Sequence, residues 1–365
     1  MVRILPENEL WKLAAKLPPR LGVRWPSTSG RDDDEGEQRA RDKGDAGRIA
    51  VVGGSEESTG APYLAAMTAL RCGADVVHVF CPPAAAQVIK GYSPDLMVHP
   101  CDWTADDKDS CLNVWLPWMD AIVVGPGIGR SDDAKLAVER TLKLATKIDT
   151  PVVVDADALY FVSLNPQLVK ECVRAILTPN KRELSRLYDP ISDLQLLEAF
   201  DNDRSKLENA SVAMRVSKVL NGTAVLSKGD VDTISDAFAP SEDDYWEGTC
   251  SSLTSPRRCA GQGAILAGAV AVFAFWGEEH GRRNPQSEYD PDDGLQGYPQ
   301  GFYVDACYGA ALLTRHAAHA AFVRCSRSMT ANDVVAQIGS SFKELFPPDG
   351  HTPSDDFEST FCELE

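Results

Sequence analysis

The 365-residue chain contains no Cys-x-x-Cys pair, no G-x-G-x-x-G turn and no G-x-x-x-x-G-K-[ST] loop. The first absence argues against a zinc site or a disulfide framework, although ten cysteines are present, at positions 72, 81, 101, 111, 172, 250, 259, 307, 325 and 362. Thiols scattered through apolar runs behave as small hydrophobes and point to a reducing compartment. The second and third absences disfavour a dinucleotide fold and a Walker-type ATPase. Positive charge is also scarce: 36 Lys and Arg against 54 Asp and Glu give a net charge of −18. Nucleic acid is therefore not expected as a partner, because phosphate backbones demand a basic surface. No apolar run reaches the length of a membrane span. Glu7 and Glu9 interrupt MVRILPENELWKLAAKL, which argues against a secretory segment and weakens a mitochondrial one. The expected compartment is the cytoplasm, with the mitochondrion as the alternative. Of the six histidines, His316 and His319 lie one helical turn apart, too few ligands for a metal site.

What is present is an alternation of short β-branched runs and longer helical patterns. RIAVVGG (48–54), VVHVF (76–80), LMVHP (96–100), DAIVVGPG (120–127), PVVVDAD (151–157), RAILTPN (174–180), TAVLSKG (223–229) and DTISDAF (232–238) are strand candidates. Helices are expected over 59–75, 83–90, 132–147, 262–276, 303–323 and 330–345. This rhythm predicts an α/β fold, three layers α/β/α around a mainly parallel sheet, in one domain spanning 46–346. Residues 1–45 read as an N-terminal extension with a charged segment, and 347–365 as an acidic tail. Two polar stretches, 239–253 and 277–301, read as a long loop and an insertion.

Ligands of open α/β sheets bind beyond the carboxyl ends of the strands. Gly53–Gly54, Gly125–Pro126–Gly127, Asp155 and Asp157, Thr178–Pro179–Asn180 and Lys228–Gly229–Asp230 all fall there. Each could be ordinary turn chemistry; five at successive strand ends point to a site. Asp155 and Asp157, two apart, would share a face of an extended strand. Such a pair could hold magnesium through water or position a hydroxyl, or one could cap the next helix. Lys228 can neutralise phosphate, and Thr254–Ser255–Pro256–Arg257–Arg258 adds donors. CAGQGAILAGAV (259–270) then reads as a glycine turn opening into a buried helix, an arrangement that receives anions.

In order, GRIAVVGGSEESTGAPYLAAMTALRCGADVVHVF, KGYSPDLMVHP, DAIVVGPGIGR, PVVVDADAL, AILTPNKRELSRL, LSKGDVDTIS and SPRRCAGQGAILAG closely resemble the eukaryotic ATP-dependent NAD(P)H-hydrate dehydratases, a ribokinase-like family. The resemblance spans roughly 43–346. It implies conversion of the S epimer of NADHX or NADPHX to NADH or NADPH, with ATP consumed to ADP and phosphate and magnesium as cofactor. It also allows a homo-oligomer, since apolar helices in such proteins often pack between subunits. Residue by residue, it implies that Gly129 and the segment Asn180, Lys181, Arg182, Glu183, Leu184, Ser185 and Arg186 bind the hydrate. Lys228, Gly229, Asp230, Val231 and Asp232, with Thr254, Ser255, Pro256, Arg257, Arg258, Cys259, Ala260, Gly261, Gln262 and Gly263, would bind ATP.

The family's motif reads GQGD, and its aspartate resembles the base that takes the substrate hydroxyl's proton. This chain has Ala264 there, and Ala260 replaces a usual glycine. Asp155, Asp157, Glu183 and Asp230 are the candidate substitutes. Three readings stand: a dehydratase with at least weak turnover, a catalytically deficient relative acting as sensor or partner subunit, and a small-molecule kinase. GPGIGR and TPNKRELSRL favour the first two.

Overall fold

Runs of β-branched residues with no room for water form the centre of the molecule. In the computed structural model, which describes residues 2–5, 7–15, 44–106, 110–237, 245–283 and 303–347, ten strands make one sheet. They are β1 (Val2–Leu5), β2 (Arg48–Val52), β3 (Val76–Cys81), β4 (Met97–Pro100), β5 (Ala121–Val124), β6 (Val152–Val154), β7 (Ala175–Leu177), β8 (Ala224–Ser227), β9 (Asp232–Asp236) and β10 (Tyr245–Cys250). Their order is β1-β10-β9-β8-β7-β6-β5-β2-β3-β4. From β8 to β4 every pairing is parallel, whereas β9 runs antiparallel to both β8 and β10.

The strand period of two divides the core into two layers. Ile49, Val51, Val77, Val79, Val123, Val153 and Ile176 face one way. Their neighbours Ala50, Val52, Phe80, Ile122, Val124, Val152, Val154 and Leu177 face the other. The helices are α1 (Glu7–Ala14), α2 (Gly60–Cys72), α3 (Pro83–Lys90), α4 (Cys111–Trp115), α5 (Asp132–Ile148), α6 (Asp157–Leu164) and α7 (Gln167–Lys170). They continue with α8 (Lys181–Tyr188), α9 (Asp193–Ala199), α10 (Arg204–Asn209), α11 (Val212–Val219), α12 (Gln262–Arg283), α13 (Val304–Cys325) and α14 (Ala331–Leu345). Helices α2, α12, α13 and α14 cover the first face; α5, α6, α8 and α11 lie on the second. The expected α/β/α layering is what these residues build. Among the described residues no helix is long and apolar enough to cross a membrane.

Four features differ from expectation. Part of the stretch read as a long loop, 239–253, is strand β10; YWEGTC carries no clean period, and its pairing with β9 and β1 makes it a strand. Residues read as an N-terminal extension supply β1 and α1, with Leu10 and Ala14 fully buried in the core. Strands β8 and β9 are a hairpin, an antiparallel part that the expectation of a mainly parallel sheet did not place. Cys101 and Cys111 are joined as a disulfide, their Cα atoms 5.7 Å apart. That pair is set by the fold, which brings the end of β4 back to the start of α4, and not by any spacing signal. The rest of the insertion beyond α12, most of the charged N-terminal segment and the acidic tail after residue 347 lie outside the described residues.

Candidate active site

The carboxyl ends of β6, β7 and β8 converge on one largely buried ion pair. Asp155, 2% exposed, follows β6. Its carboxylate accepts hydrogen bonds from Lys228 Nζ at 2.7 Å and from Thr178 Oγ1 at 2.8 Å. Thr178 follows β7 and Lys228 follows β8, so three adjacent strand ends are tied through one carboxylate. Close approach of the backbone makes this compact: a Cβ on Gly125, whose φ is +117°, would lie 1.9 Å from the Asp155 carbonyl oxygen. Asp157 does not join the cluster. Strand β6 ends at Val154 and Ala156 takes a φ of 51°, which turns the chain so that the two aspartates no longer share a face. Asp157 instead accepts from Arg130 Nε at 2.9 Å near the surface.

Asn180 starts α8 by capping it, its side chain accepting from the backbone N–H groups of Arg182 and Glu183. Glu183 closes the capping box, accepting from the Asn180 N–H at 2.8 Å. Burial pushes the Glu183 carboxyl above its usual range, against the pull of the Lys228 ammonium and the Asn180 N–H, while Asp155 pushes the same way as burial. Glu183 is thus within electrostatic reach of Asp155 and Lys228.

On the other side of Lys228 is the β8–β9 turn. Gly229 N–H donates to Asp232 Oδ1 at 2.8 Å. Burial raises the Asp232 carboxyl, opposed by that N–H and by Arg315. Arg258 reaches the turn from outside, donating to the Gly229 carbonyl at 2.6 Å and to Asp230 Oδ1 at 2.9 Å. Val231 is exposed. Ser255 is buried and donates to the Arg257 carbonyl at 2.7 Å while accepting from the Arg257 N–H at 3.0 Å. Arg257 Nε is buried without an acceptor among the described residues, a donor fit for a ligand oxygen. Cys259 is partly buried, and burial raises its thiol, which argues against a nucleophilic thiolate.

The glycine turn leads straight into α12. Gly261 has a φ of +99°, which a side chain would resist, and a Cβ there would meet Leu64 at 2.4 Å. A Cβ on Gly263 would stand 3.2 Å from Lys228 Nζ. The ammonium therefore sits against the first turn of α12, where unpaired N–H groups and the helix dipole favour an anion. Ala264 is the next residue, 6% exposed, within the apolar core. Behind it runs a helix buried from Ile265 through Trp276.

A sequence model of the NAD(P)H-hydrate dehydratase family matches residues 49–292. The ATP-dependent (S)-NAD(P)H-hydrate dehydratase of Ixodes scapularis is 42% identical over 85% of this chain and 91% of its own length. The human protein of the same description is 41% identical over 83% of this chain and 80% of its own. The chain belongs to the NAD(P)H-hydrate dehydratase family. Solved structures support the fold independently of close sequence identity. An ADP/ATP-dependent NAD(P)H-hydrate dehydratase from Bacillus subtilis, co-crystallised with ATP/Mg2+, aligns with a TM-score of 0.53 at 20% identity, covering 86% of this chain and 94% of that one. A ribokinase-like protein from Enterococcus faecalis aligns with a TM-score of 0.59 at 17% identity, covering 94% and 96%.

For this member of the dehydratase family, the residues named from the sequence fall into three groups. Lys228, Gly229, Asp230, Asp232, Arg258 and Gly263 are directly linked to one another or to the α12 terminus. Of the segment 180–186, only the Asn180–Glu183 end reaches this cluster. Leu184 packs against the second core layer and Ser185 donates to Asp189, while Lys181 and Arg182 are exposed. Gly129, with a φ of +81°, stands apart, beside Ser55. It follows Ile128, which with Ser55, Ser131, Asp102 and Trp103 lines a cavity of about 350 Å³.

Two features escaped the sequence reading. Arg130 lies 4.4 Å over the Tyr160 ring and Arg186 lies 5.8 Å from it, a grouping of α6, α8 and the β5 turn. Arg315, 6% exposed on α13, bonds to the β8–β9 turn. A lone arginine inside GAALLTRHAAHAAF was the available signal; no spacing ties it to residue 230.

Proposed function

We propose that this chain carries out the ATP-dependent dehydration of the S epimers of NADHX and NADPHX to NADH and NADPH, releasing ADP and phosphate, at a rate held down by Ala264. The observation that carries this reading is the Lys228 ammonium, fixed by buried Asp155 and set against the first turn of α12. Phosphoryl transfer asks mainly for positioning and for charge stabilisation of the moving group. A lysine, a glycine turn and a helix N-terminus converging on one point supply both. Arg257 and Arg258 flank the same approach, and the orphaned Arg257 Nε provides a donor for the nucleotide.

The γ-phosphoryl group passes to the hydroxyl oxygen of the hydrated ring, and the hydroxyl proton must leave. Phosphate then departs with the C–O electron pair as the ring nitrogen pushes in. Loss of the neighbouring ring proton completes the double bond. Hydroxide is a poor leaving group; the transfer turns it into a good one.

Magnesium would come with the nucleotide. Among the described residues no group of three or more His, Cys, Asp or Glu side chains could hold a metal ion. Magnesium needs no such cage, since one or two carboxylates and the nucleotide's phosphates suffice. Asp155, beside Lys228, fits that smaller demand, since the bonds from Lys228 and Thr178 both fall on its Oδ1. The ion would neutralise phosphate charge.

The proton is the weak point. Ala264 has no acceptor, and Asp155 is already bonded to Lys228 and Thr178. Glu183, made more basic by burial, is the proposed stand-in, though it also serves its own helix cap. The deciding measurement is NADPH formation from purified NADPHX and ATP by the unaltered chain and by Ala264→Asp. A general base contributes ~10² to 10⁴ in rate, and the variant should gain on that order. Equal rates would sink the role given to position 264; no turnover by either would sink the dehydratase reading. A second reading, a deficient relative that binds nucleotide or hydrate as sensor or partner subunit, is favoured by the same alanine. It requires ligand binding without turnover in the unaltered chain.

A further inference from the structure

Resting on the nucleotide site just proposed, we infer that Arg315 is its positioning residue: a buried guanidinium that holds two separate ATP-contacting segments in register. Arg315 Nε donates to the Ser252 carbonyl at 2.8 Å. One terminal nitrogen donates to Asp232 Oδ2 at 3.1 Å and the other to the Asp230 carbonyl at 2.6 Å. Its acceptors thus come from the β8–β9 turn on one side and from the strand-end that leads into Thr254–Gly263 on the other. These segments are about twenty residues apart in sequence and meet through this side chain.

The fork matters because the three acceptors lie in different directions. A guanidinium offers five N–H donors in a fixed plane, so it can fix the relative position of several acceptors at once. The second carboxylate oxygen of Asp232 accepts from the Gly229 N–H, which carries the constraint to the residue after Lys228. Ser251, next to Ser252, is held from the other side by Glu7 of α1: its hydroxyl donates to Glu7 Oε2 at 2.9 Å and its N–H to Oε1. Arg315 is also distinct from Arg258, which bonds to the same turn from solvent. The Arg258–Asp230 pair is 55% and 105% exposed, against 7% and 8% for Arg315–Asp232. The exposed arginine can exchange its partners for a phosphate at little cost, whereas the buried one cannot leave without stranding Asp232 and two carbonyls. Arg315 therefore works through the segments it holds and has no need to touch the nucleotide.

The test uses the full-length protein and isothermal calorimetry with ATP in the presence of magnesium, beside NADPHX as the second ligand. Arg315→Met should weaken ATP binding about 10- to 100-fold, the scale of lost charged hydrogen bonds, and leave NADPHX affinity unchanged. Arg315→Lys keeps the charge but not the fork and should fall between. In an Ala264→Asp background the same variants should raise KM for ATP more than they lower kcat. Unchanged ATP affinity in a folded Arg315→Lys chain would overturn the inference. So would parallel loss of both ligands together with thermal stability, which marks a purely structural staple. Should Arg315→Met fail to fold, Arg315→Lys and Asp232→Asn carry the comparison with the same expected selectivity for ATP. Failure of the unaltered chain to bind ATP would instead remove the nucleotide-site reading on which the inference stands.

Discussion

The two halves of the candidate site handle charge in opposite ways. On the β7–β9 side the charges are largely buried and multiply bonded: Asp155 with Lys228 and Thr178, Arg315 with Asp232 and two carbonyls. On the β5–α6 side, Arg130 pairs once with Asp157, with side chains 52% and 28% exposed, and lies over Tyr160 beside Arg186. A buried, fully bonded charge is preorganised and cannot easily reorient. An exposed pair is free to trade partners. The first suits a group that must be met by fixed charge in the transition state, the second a large anionic substrate that arrives and leaves.

The sharpest way to break this contrast is Lys228→Met. Removing one partner of a buried pair strands the other and costs about 3–5 kcal/mol. Thr178 still donates to Asp155, so the lower end is expected. Urea denaturation should show that loss, and calorimetry should show ATP binding gone. The double change Lys228→Met with Asp155→Asn should restore stability toward the unaltered chain without restoring ATP. If the single variant is as stable as the unaltered protein, the buried pair is not the fixed point described.

Acid should separate the halves by a different route. His78 and His99 stack on β3 and β4, with Nδ1 of one 2.8 Å from Nε2 of the other. Burial first, then His99 and Arg48, lower His78 to about 4. Burial and Lys90 lower His99. In the unfolded chain these rings protonate near the ordinary histidine value of about 6.5. Between there and about 4 the unfolded state holds more protons on His78. Stability is therefore present above that window and declines as pH falls through it. Strand β4 ends at Pro100, next to Cys101 of the cavity wall, so the loss should appear as weaker hydrate binding before weaker ATP binding. Replacing both histidines by Gln should flatten stability across that window; a slope that persists would place the acid sensitivity elsewhere.

Much of this was legible beforehand, for a physical reason. Parallel strands buried on both faces leave continuous apolar runs, and the polar or glycine residue ending each run marks the carboxyl edge of the sheet, as at Gly125, Thr178 and Lys228. Seven motifs in order added the family. What escaped depends on contacts that pattern does not encode. Nothing in DADAL shows that Ala156 takes a positive φ and parts Asp155 from Asp157. Strand β10 is specified by its partners, since Tyr245–Cys250 has neither alternation nor an apolar run. Arg315 was visible as a lone charge in an apolar helix, but its meaning lies in Asp230, Asp232 and Ser252, far away in the chain. Strand ends and turns were readable; the long-range bonds that join them were not.

The smallest expected effect tests the exposed half. Arg130→Met removes one surface ion pair and one cation–π contact, and exposed pairs contribute only about 0–1 kcal/mol. Stability should hardly move. Arg130 nevertheless follows Gly129 and shares Tyr160 with Arg186. In a chain of net charge −18, such cations are a local exception that a dinucleotide's phosphates would find. KM for NADPHX, measured in the Ala264→Asp background, should rise several-fold, about the worth of one exposed charge-assisted contact, while KM for ATP stays put. Added salt should shrink the difference, because exposed charges are screened within about 10 Å at 0.1 M. A rise in KM for ATP instead would mean that the two halves are not separate, and that the partly buried lysine and the exposed arginine serve one ligand.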